Sequence, residues 1–364
     1  MARAEQKTRD IAERRLRNQR VAGKGLARPE DVVRWLGAVQ AQEYAFARWG
    51  LALRMTKGTV DAEIARAVDE GRILRTHVMR PTWHFVAADD VRWMLNLTAA
   101  RVRQTMAHYG RREGLDAALV SRALGIFERA LGDHHHLTRG ELGQRLAREG
   151  VVAKGVPLAL LTMYAELDGV ICSGPYRGKQ LTYALLAERA PASRLLARDE
   201  ALAELTRRYF SSHGPATVRD CVWWSGLTTP DVKRGLDINR ARQEIVDGLT
   251  YFSIGRMSSG SRRPTVVHML PIYDEYLVAY RDRVAVPYAA SNVLSKTSRP
   301  VTFQHAIVVA GQVAGTWRVL QRPDEVTADV ALLKRFSRTE RQQLTDAVVG
   351  YERFLGRPVS LSVL

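Results

Sequence analysis

One order of local signals recurs along this chain and limits what it can fold into. A helix start is followed by a glycine or short turn, a second helix, and two strand-like runs around a turn. In the first copy, Pro29 sits near a first helical turn, where Glu30 and Asp31 complement the positive end of the dipole. Val32, Trp35, Leu36 and Val39 recur at helical spacing and predict one buried stripe. The next position on that stripe is Glu43, so the helix is expected to end at about Gln40, with a second run from Phe46 to Met55. A third helix, capped by Thr59, is expected from Asp61 to Glu70 and ends at Gly71. Residues 73–78 and 82–86 then read as strands bracketing Met79-Arg80-Pro81. Helices followed by a β-hairpin describe a winged helix, a variant of the helix-turn-helix.

Helices over 89–113 and about 117–131 lead to the second copy. Thr138 and Glu141 have the spacing of a capping box, a helix is expected over 157–167, and short strands at 170–175 and 180–183 flank a turn at Gly178. The third copy opens at Thr217 with Asp220 three residues on. Gly226 breaks its helix, Thr229-Pro230 starts the next, which runs to Gly235, and 249–254 reads as a strand. A basic helix is expected over 9–20, before all three. After them, strands are expected at 265–271, running on through 272–277, and in a hairpin of 305–309 with 313–319. Residues 288–299 read as a polar loop and 338–355 as a closing helix. The expected fold is mainly α with β-hairpin wings, an α+β chain. Its segments are 1–130, 131–200 and 201–262, one wing each, and a strand-rich 263–364.

Lys and Arg total 55 against 38 Asp and Glu, a formal charge of +17. A GC-rich genome explains arginine in place of lysine but not that excess, so a polyanionic partner is expected, with nucleic acid first. The two cysteines, Cys172 and Cys221, supply neither a disulfide framework nor zinc spacing. His134-His135-His136 have no partner cysteine or spaced carboxylate, so no metal is expected. The polar opening is not a signal peptide, and no apolar run approaches the roughly 20 residues of a membrane span. The expectation is a cytoplasmic protein.

Gln40 and Gln42 fall at the helix junction. Two residues apart, they diverge on a regular helix but point the same way in an extended segment. There, two neutral amides can converge on one small target such as a water. Taken alone, the pair also fits an ordinary polar helix end.

Four stretches resemble one family in order. They are Gln40-Ala41-Gln42, Arg80-Pro81-Thr82-Trp83-His84-Phe85, Leu270-Pro271-Ile272-Tyr273-Asp274-Glu275-Tyr276, and Gly315-Thr316-Trp317-Arg318. The chain resembles the winged-helix DNA glycosylases of the AlkZ and YcaQ type, with Gln rather than Asp at position 42 favouring the AlkZ branch. The resemblance implies tandem winged helices forming a concave DNA surface. It implies excision of N7-alkylated purines and unhooking of interstrand crosslinks, with resistance to an alkylating antibiotic (azinomycin in the AlkZ branch). It places the catalytic motif on Gln40 and Gln42. His77, Arg80, Thr82, Trp83 and His84 in the wing, and Arg318 in the late hairpin, are candidates for DNA contact. Glu43 is a candidate general base, with a surface or capping carboxylate as the other reading. Asp274 and Glu275, adjacent on an expected strand, should face opposite ways and not share a target. Lys57 is the nearest lysine to the glutamines, so Schiff-base chemistry has no support and a monofunctional enzyme is expected. The implied partner is double-stranded DNA with alkylated or crosslinked purines. The chain is expected to act as a monomer near the nucleoid, with no cofactor and no membrane. The competing class is a winged-helix transcription regulator without catalysis.

Overall fold

Gly37 decides how the first unit turns. In the computed structural model, which describes residues 2–56, 58–255, 266–282, 303–322 and 325–364, α1 (Ala2–Asn18) is followed by α2 (Pro29–Leu36). Gly37 then adopts φ +91°, a backbone state L side chains resist, and ends α2 at Leu36, about four residues before the expected point. The chain runs on extended as β1 (Val39–Gln40) before α3 (Tyr44–Ala52) and α4 (Asp61–Asp69). Val60, not Thr59, holds the cap position of α4; the Thr59 hydroxyl donates to Thr56 O. The wing is β2 (Ile73–His77) and β3 (Trp83–Ala87), and the three strands order as β1-β3-β2 with Gln40 opposite His84. Gln40 is therefore a strand residue rather than a helix end.

The second unit follows α5 (Val91–Arg112) and α6 (Ala117–Leu131). It consists of β4 (Leu137–Thr138), α7 (Arg139–Arg148), α8 (Val156–Leu167), β5 (Ile171–Ser173), β6 (Thr182–Leu185) and the short α9 (Leu186–Arg189). The Thr138–Glu141 capping box forms, and the sheet order is β4-β6-β5. The third unit begins with α10 (Arg198–Ser212), which has no counterpart in the expected elements. Then come α11 (Val218–Ser225), capped by Thr217 with Asp220, and α12 (Thr229–Ile238). The hairpin of β7 (Arg242–Val246) and β8 (Leu249–Ser253) closes the unit. One continuous buried cluster runs from Ala38 through Leu74, Leu161 and Trp224 to Tyr280, so these units share a core.

Strand β9 (Val267–Leu270) opens the last part, followed by α13 (Glu275–Val278). Here the expected strand over 272–277 is corrected: the Asp274 side chain caps Tyr276 N and starts a helical turn. The sheet continues with β10 (His305–Val309), β11 (Gln312–Gln321) and β12 (Val326–Leu332), and α14 (Arg338–Leu355) leads to β13 (Ser360–Val363). Its order is β13-β12-β11-β10-β9, antiparallel except for the β12–β13 pair. Trp317 is buried, with its ring 5.3 Å from that of Tyr351 on α14. The polar loop expected over 288–299 lies outside the described residues.

Helix α1 covers most of the basic helix expected over 9–20, and part of it is buried. Arg15 is buried, its guanidinium 3.7 Å from the Tyr280 ring centroid and its Nε donating to Pro215 O at 2.8 Å. Gln19 reaches both Tyr280 Oη and Arg54, and Arg54 makes a two-pronged buried pair with Asp274 at 2.8 Å. These contacts pin the turn that carries Glu275 to the first unit. No helix among the described residues is long and apolar enough to cross a membrane.

Candidate active site

The segment Gln40-Ala41-Gln42 is held through its backbone from three sides. Gln40 N donates to Glu275 Oε1 at 2.8 Å, and Ala41 N donates to Trp83 O at 2.7 Å. Arg75 Nε donates to Ala41 O at 2.8 Å, and its second nitrogen reaches Gln42 O at 3.3 Å. The same guanidinium lies 4.3 Å from the centroid of the Trp83 ring. Such clamping fixes where the side chains point before any ligand arrives.

Both amides then meet the wing. Arg80 donates to Gln40 Oε1 at 3.0 Å, and Trp83 N points at Gln42 Oε1 at 3.4 Å. The extended backbone does what a helix would not: it sends two residues spaced by one toward one side. Gln40 is 8% exposed and Gln42 is half-buried, so the two amides lie against the hairpin with little surface open to solvent. Thr76 Oγ1, Arg80 Nε, Thr82 Oγ1 and Trp83 Nε1 are all buried here without a hydrogen-bond partner among the described residues. His84 Nδ1 is a fifth, and because buried polar atoms are normally paired, five orphans set this hairpin apart.

The electrostatics beneath the glutamines are set by burial. His84 is fully buried, and burial together with the Arg80 charge pulls its imidazole down to about 3, so it is neutral at physiological pH. Burial also lowers Arg80, opposed by the Glu275 charge. Burial alone would raise the Glu275 carboxyl, but His213, Arg80 and the Gln40 N–H outweigh it and bring it to about 2. Glu275 is 1% exposed and ionised; Oε2 accepts from Trp224 Nε1 at 2.9 Å and lies 3.4 Å from His213 Nε2. The expectation that Asp274 and Glu275 would not share a target holds, but through a turn: Asp274 goes to Arg54 and Glu275 to Gln40.

The other candidates separate. Arg80, Thr82 and Trp83 surround the glutamines. His84 and His77 are buried, at 0% and 6% exposed. His84 lies against Arg80 from below, and His77 Nδ1 bonds the buried Glu166 of α8. Arg318 sits on β11 and pairs with Asp329 at 3.0 Å, not with the wing. Glu43 occupies the cap position of α3 with its side chain exposed, the setting of a surface carboxylate. Lys57 lies outside the described residues. In the loop before β4, His135 bonds Gly132 O, and no group of three metal-ligating side chains forms among the described residues. Sequence reasoning missed Arg75 and the role of Glu275. Arg75 carried no local signal beyond a charge within an apolar strand.

The buried histidines set an acid limit on stability. Burial holds His268 and His305 at about 4, and His84 at about 3, whereas unfolded imidazoles titrate near 6.5. Between about pH 6.5 and 4 the unfolded chain binds more protons, so stability rises with pH across that window. Glu275 acts lower: its contribution is present above about pH 4.5 and is lost as pH falls toward 2. Thermal melts are expected to show Tm falling steadily from about pH 6.5 to 4.5. A Tm flat over that range would contradict the buried neutral state of these rings.

Helical units closed by hairpins, with two neutral amides clamped under a wing, now have a family. Residues 33–354 match the family described as DNA glycosylase AlkZ-like, and the chain belongs to it. It is thus a DNA glycosylase, and the non-catalytic regulator gives way. An interstrand DNA cross-link repair glycosylase of Streptomyces sahachiroi is 26% identical over 326 residues, covering 82% of this chain and 84% of that protein. The solved structure of Streptomyces sahachiroi DNA glycosylase AlkZ matches with a TM-score of 0.80 at 22% identity, covering 98% of this chain and 99% of that one. At that identity the structural likeness speaks for the fold.

Proposed function

We propose that this glycosylase is monofunctional, hydrolyses the N-glycosidic bond of N7-alkylated purines, and unhooks interstrand crosslinks built on such bases. The observation that carries the reading is the clamped glutamine pair. Amides accept and donate hydrogen bonds but cannot remove a proton near neutral pH. Gln40 and Gln42 can therefore orient a water, and that suffices only when the leaving group is already activated. N7 alkylation does this by placing positive charge on the base. Orienting the water and stabilising charge on the sugar are the remaining tasks, and preorganised dipoles perform both. The partners of the two glutamines are Arg80, Trp83, Arg75 and Glu275; none is an amine able to form a Schiff base.

The three hairpin-bearing segments, 1–130, 131–200 and 201–262, are read as tandem winged helices lining one DNA-binding concavity, with residues 256–262 outside the described part. The charge of +17 suits that surface. Arg80, Thr82 and Trp83 are assigned to contact DNA at the lesion, with Arg318 a more distant phosphate contact. A single chain supplies both glutamines and the wing, so the working unit is a monomer acting on DNA in the cytoplasm. The cross-link repair named for the Streptomyces sahachiroi relative extends here to resistance against an alkylating antibiotic.

The test is the product. Duplex DNA carrying one N7-methylguanine, incubated with the protein at neutral pH, is expected to release free N7-methylguanine well above a no-enzyme control. Release of uracil at a matching rate would show that the enzyme protonates neutral leaving groups and would overturn the mechanism.

A further inference from the structure

The two glutamines are not aimed in the same way. The Gln40 side chain has a charged partner, Arg80, at 3.0 Å, and its backbone N–H is held by Glu275 at 2.8 Å. Among the described residues the Gln42 side chain has only the neutral Trp83 N–H, at 3.4 Å, longer than an ordinary hydrogen bond. Its direction is left to its backbone, and there one residue holds both sides. Ala41 O belongs to the peptide group before the Gln42 Cα, and Gln42 O to the one after it. Peptide groups are planar, so fixing both fixes φ and ψ at Gln42, and with them the direction of its Cβ. Arg75 takes both oxygens, through Nε at 2.8 Å and more loosely through Nη2 at 3.3 Å. The guanidinium is itself located by the Trp83 ring at 4.3 Å, and the Ser173 hydroxyl of β5 accepts from Arg75 N at 2.8 Å.

We propose that Arg75 is the positioning residue for Gln42, and that its planar fork, rather than its charge alone, aims that amide at the water. The inference rests on the proposed catalytic reading of the glutamines. Arg75 is 6% exposed, and burial pulls its guanidinium below the ordinary range, so the cation is held there at a cost. Its side-chain contacts are two carbonyls and a ring face rather than a carboxylate. Apolar packing would serve the fold as well as a buried cation does. The guanidinium adds charged donors in a fixed plane, which hold carbonyls more tightly than neutral donors and lie flat on an indole. A lysine nitrogen would fall near the guanidinium carbon. It would occupy neither donor position and offer no plane to Trp83, leaving the peptide groups around Gln42 freer to turn.

Single-turnover excision of N7-methylguanine at saturating enzyme tests this in Arg75→Lys and Arg75→Gln, each made in wild type and in Gln42→Ala. Thermal melts report folding, and binding of undamaged duplex is measured beside them. In wild type each variant is expected to lose about 10-fold or more in rate with duplex affinity unchanged, since a misplacement near 1 Å can cost on the order of 10². In Gln42→Ala the same variants should cost less than about 2-fold, because a residue that acts only through that amide has nothing left to aim. A role in stability alone would slow both backgrounds by the same factor. Equal losses in the two backgrounds therefore overturn the proposal, as does Arg75→Lys working at near wild-type rate. Failure of both variants to fold would make Arg75 a residue of the core and overturn it too. Gln42→Ala excising at wild-type rate would instead sink the reading of the motif beneath it.

Discussion

Gln40→Ala and Gln42→Ala are each expected to slow excision of N7-alkylguanine by about 10²–10³ while leaving DNA binding near wild type. The two amides serve a water whose interactions strengthen in the transition state, so binding in the ground state scarcely depends on them. Because both hold one water, the double variant should be little worse than the poorer single one. Stability should separate the pair slightly. Gln40→Ala removes the acceptor of Arg80, a loss of about 1 kcal/mol, whereas the half-buried Gln42 loses only a long contact to Trp83 N. Gln42→Asp should retain activity, since a carboxylate can hold the same water and also accept its proton. Single-turnover excision beside binding and melting curves measures all of this. An alanine variant working at near wild-type rate would reduce Gln40-Ala41-Gln42 to a piece of strand.

What was legible in the sequence was what neighbours in the chain decide. The capping boxes at Thr138–Glu141 and Thr217–Asp220 form because donor and acceptor lie three residues apart. Helices over 117–131 and 338–355 have the bounds their periodicity predicts. The glutamine pair was legible as a motif but misplaced in structure, since the hydrophobic stripe continued past Gly37 and hid the break its backbone imposes. Helix α10 escaped because Arg208 and Thr206, both buried, interrupt its apolar face; Arg208 is there to pair with Asp90, 118 residues away. Arg15 escaped for the same reason. Its partners are Tyr280 and Pro215, far along the chain, so nothing local marked this cation as buried. Glu275 is the extreme case, 235 residues from the backbone amide it holds.

That distance makes Glu275→Gln the most informative substitution outside the motif. The carboxylate accepts from Gln40 N through Oε1 and from Trp224 Nε1 through Oε2. An amide of the same shape has one acceptor end and one donor end, so one of those N–H groups must face another donor. The cost is about 1–3 kcal/mol of stability for the unpaired buried group. The substitution also removes the negative charge that opposes the lowering of Arg80, and Arg80 orients the Gln40 amide. Both effects converge on Gln40 and displace the group that aims the water. Misplacement by about 1 Å can cost on the order of 10² in rate. Trp224→Phe is the matching control. It deletes one donor and destabilises the same core, but leaves the Gln40 contact and the charge intact. Thermal melts should show both variants less stable than wild type, with duplex binding preserved in each. Single-turnover excision should fall steeply only in Glu275→Gln. If excision instead falls equally in the two variants, in step with lost stability, Glu275 merely holds the fold and the aim of Gln40 does not depend on its charge.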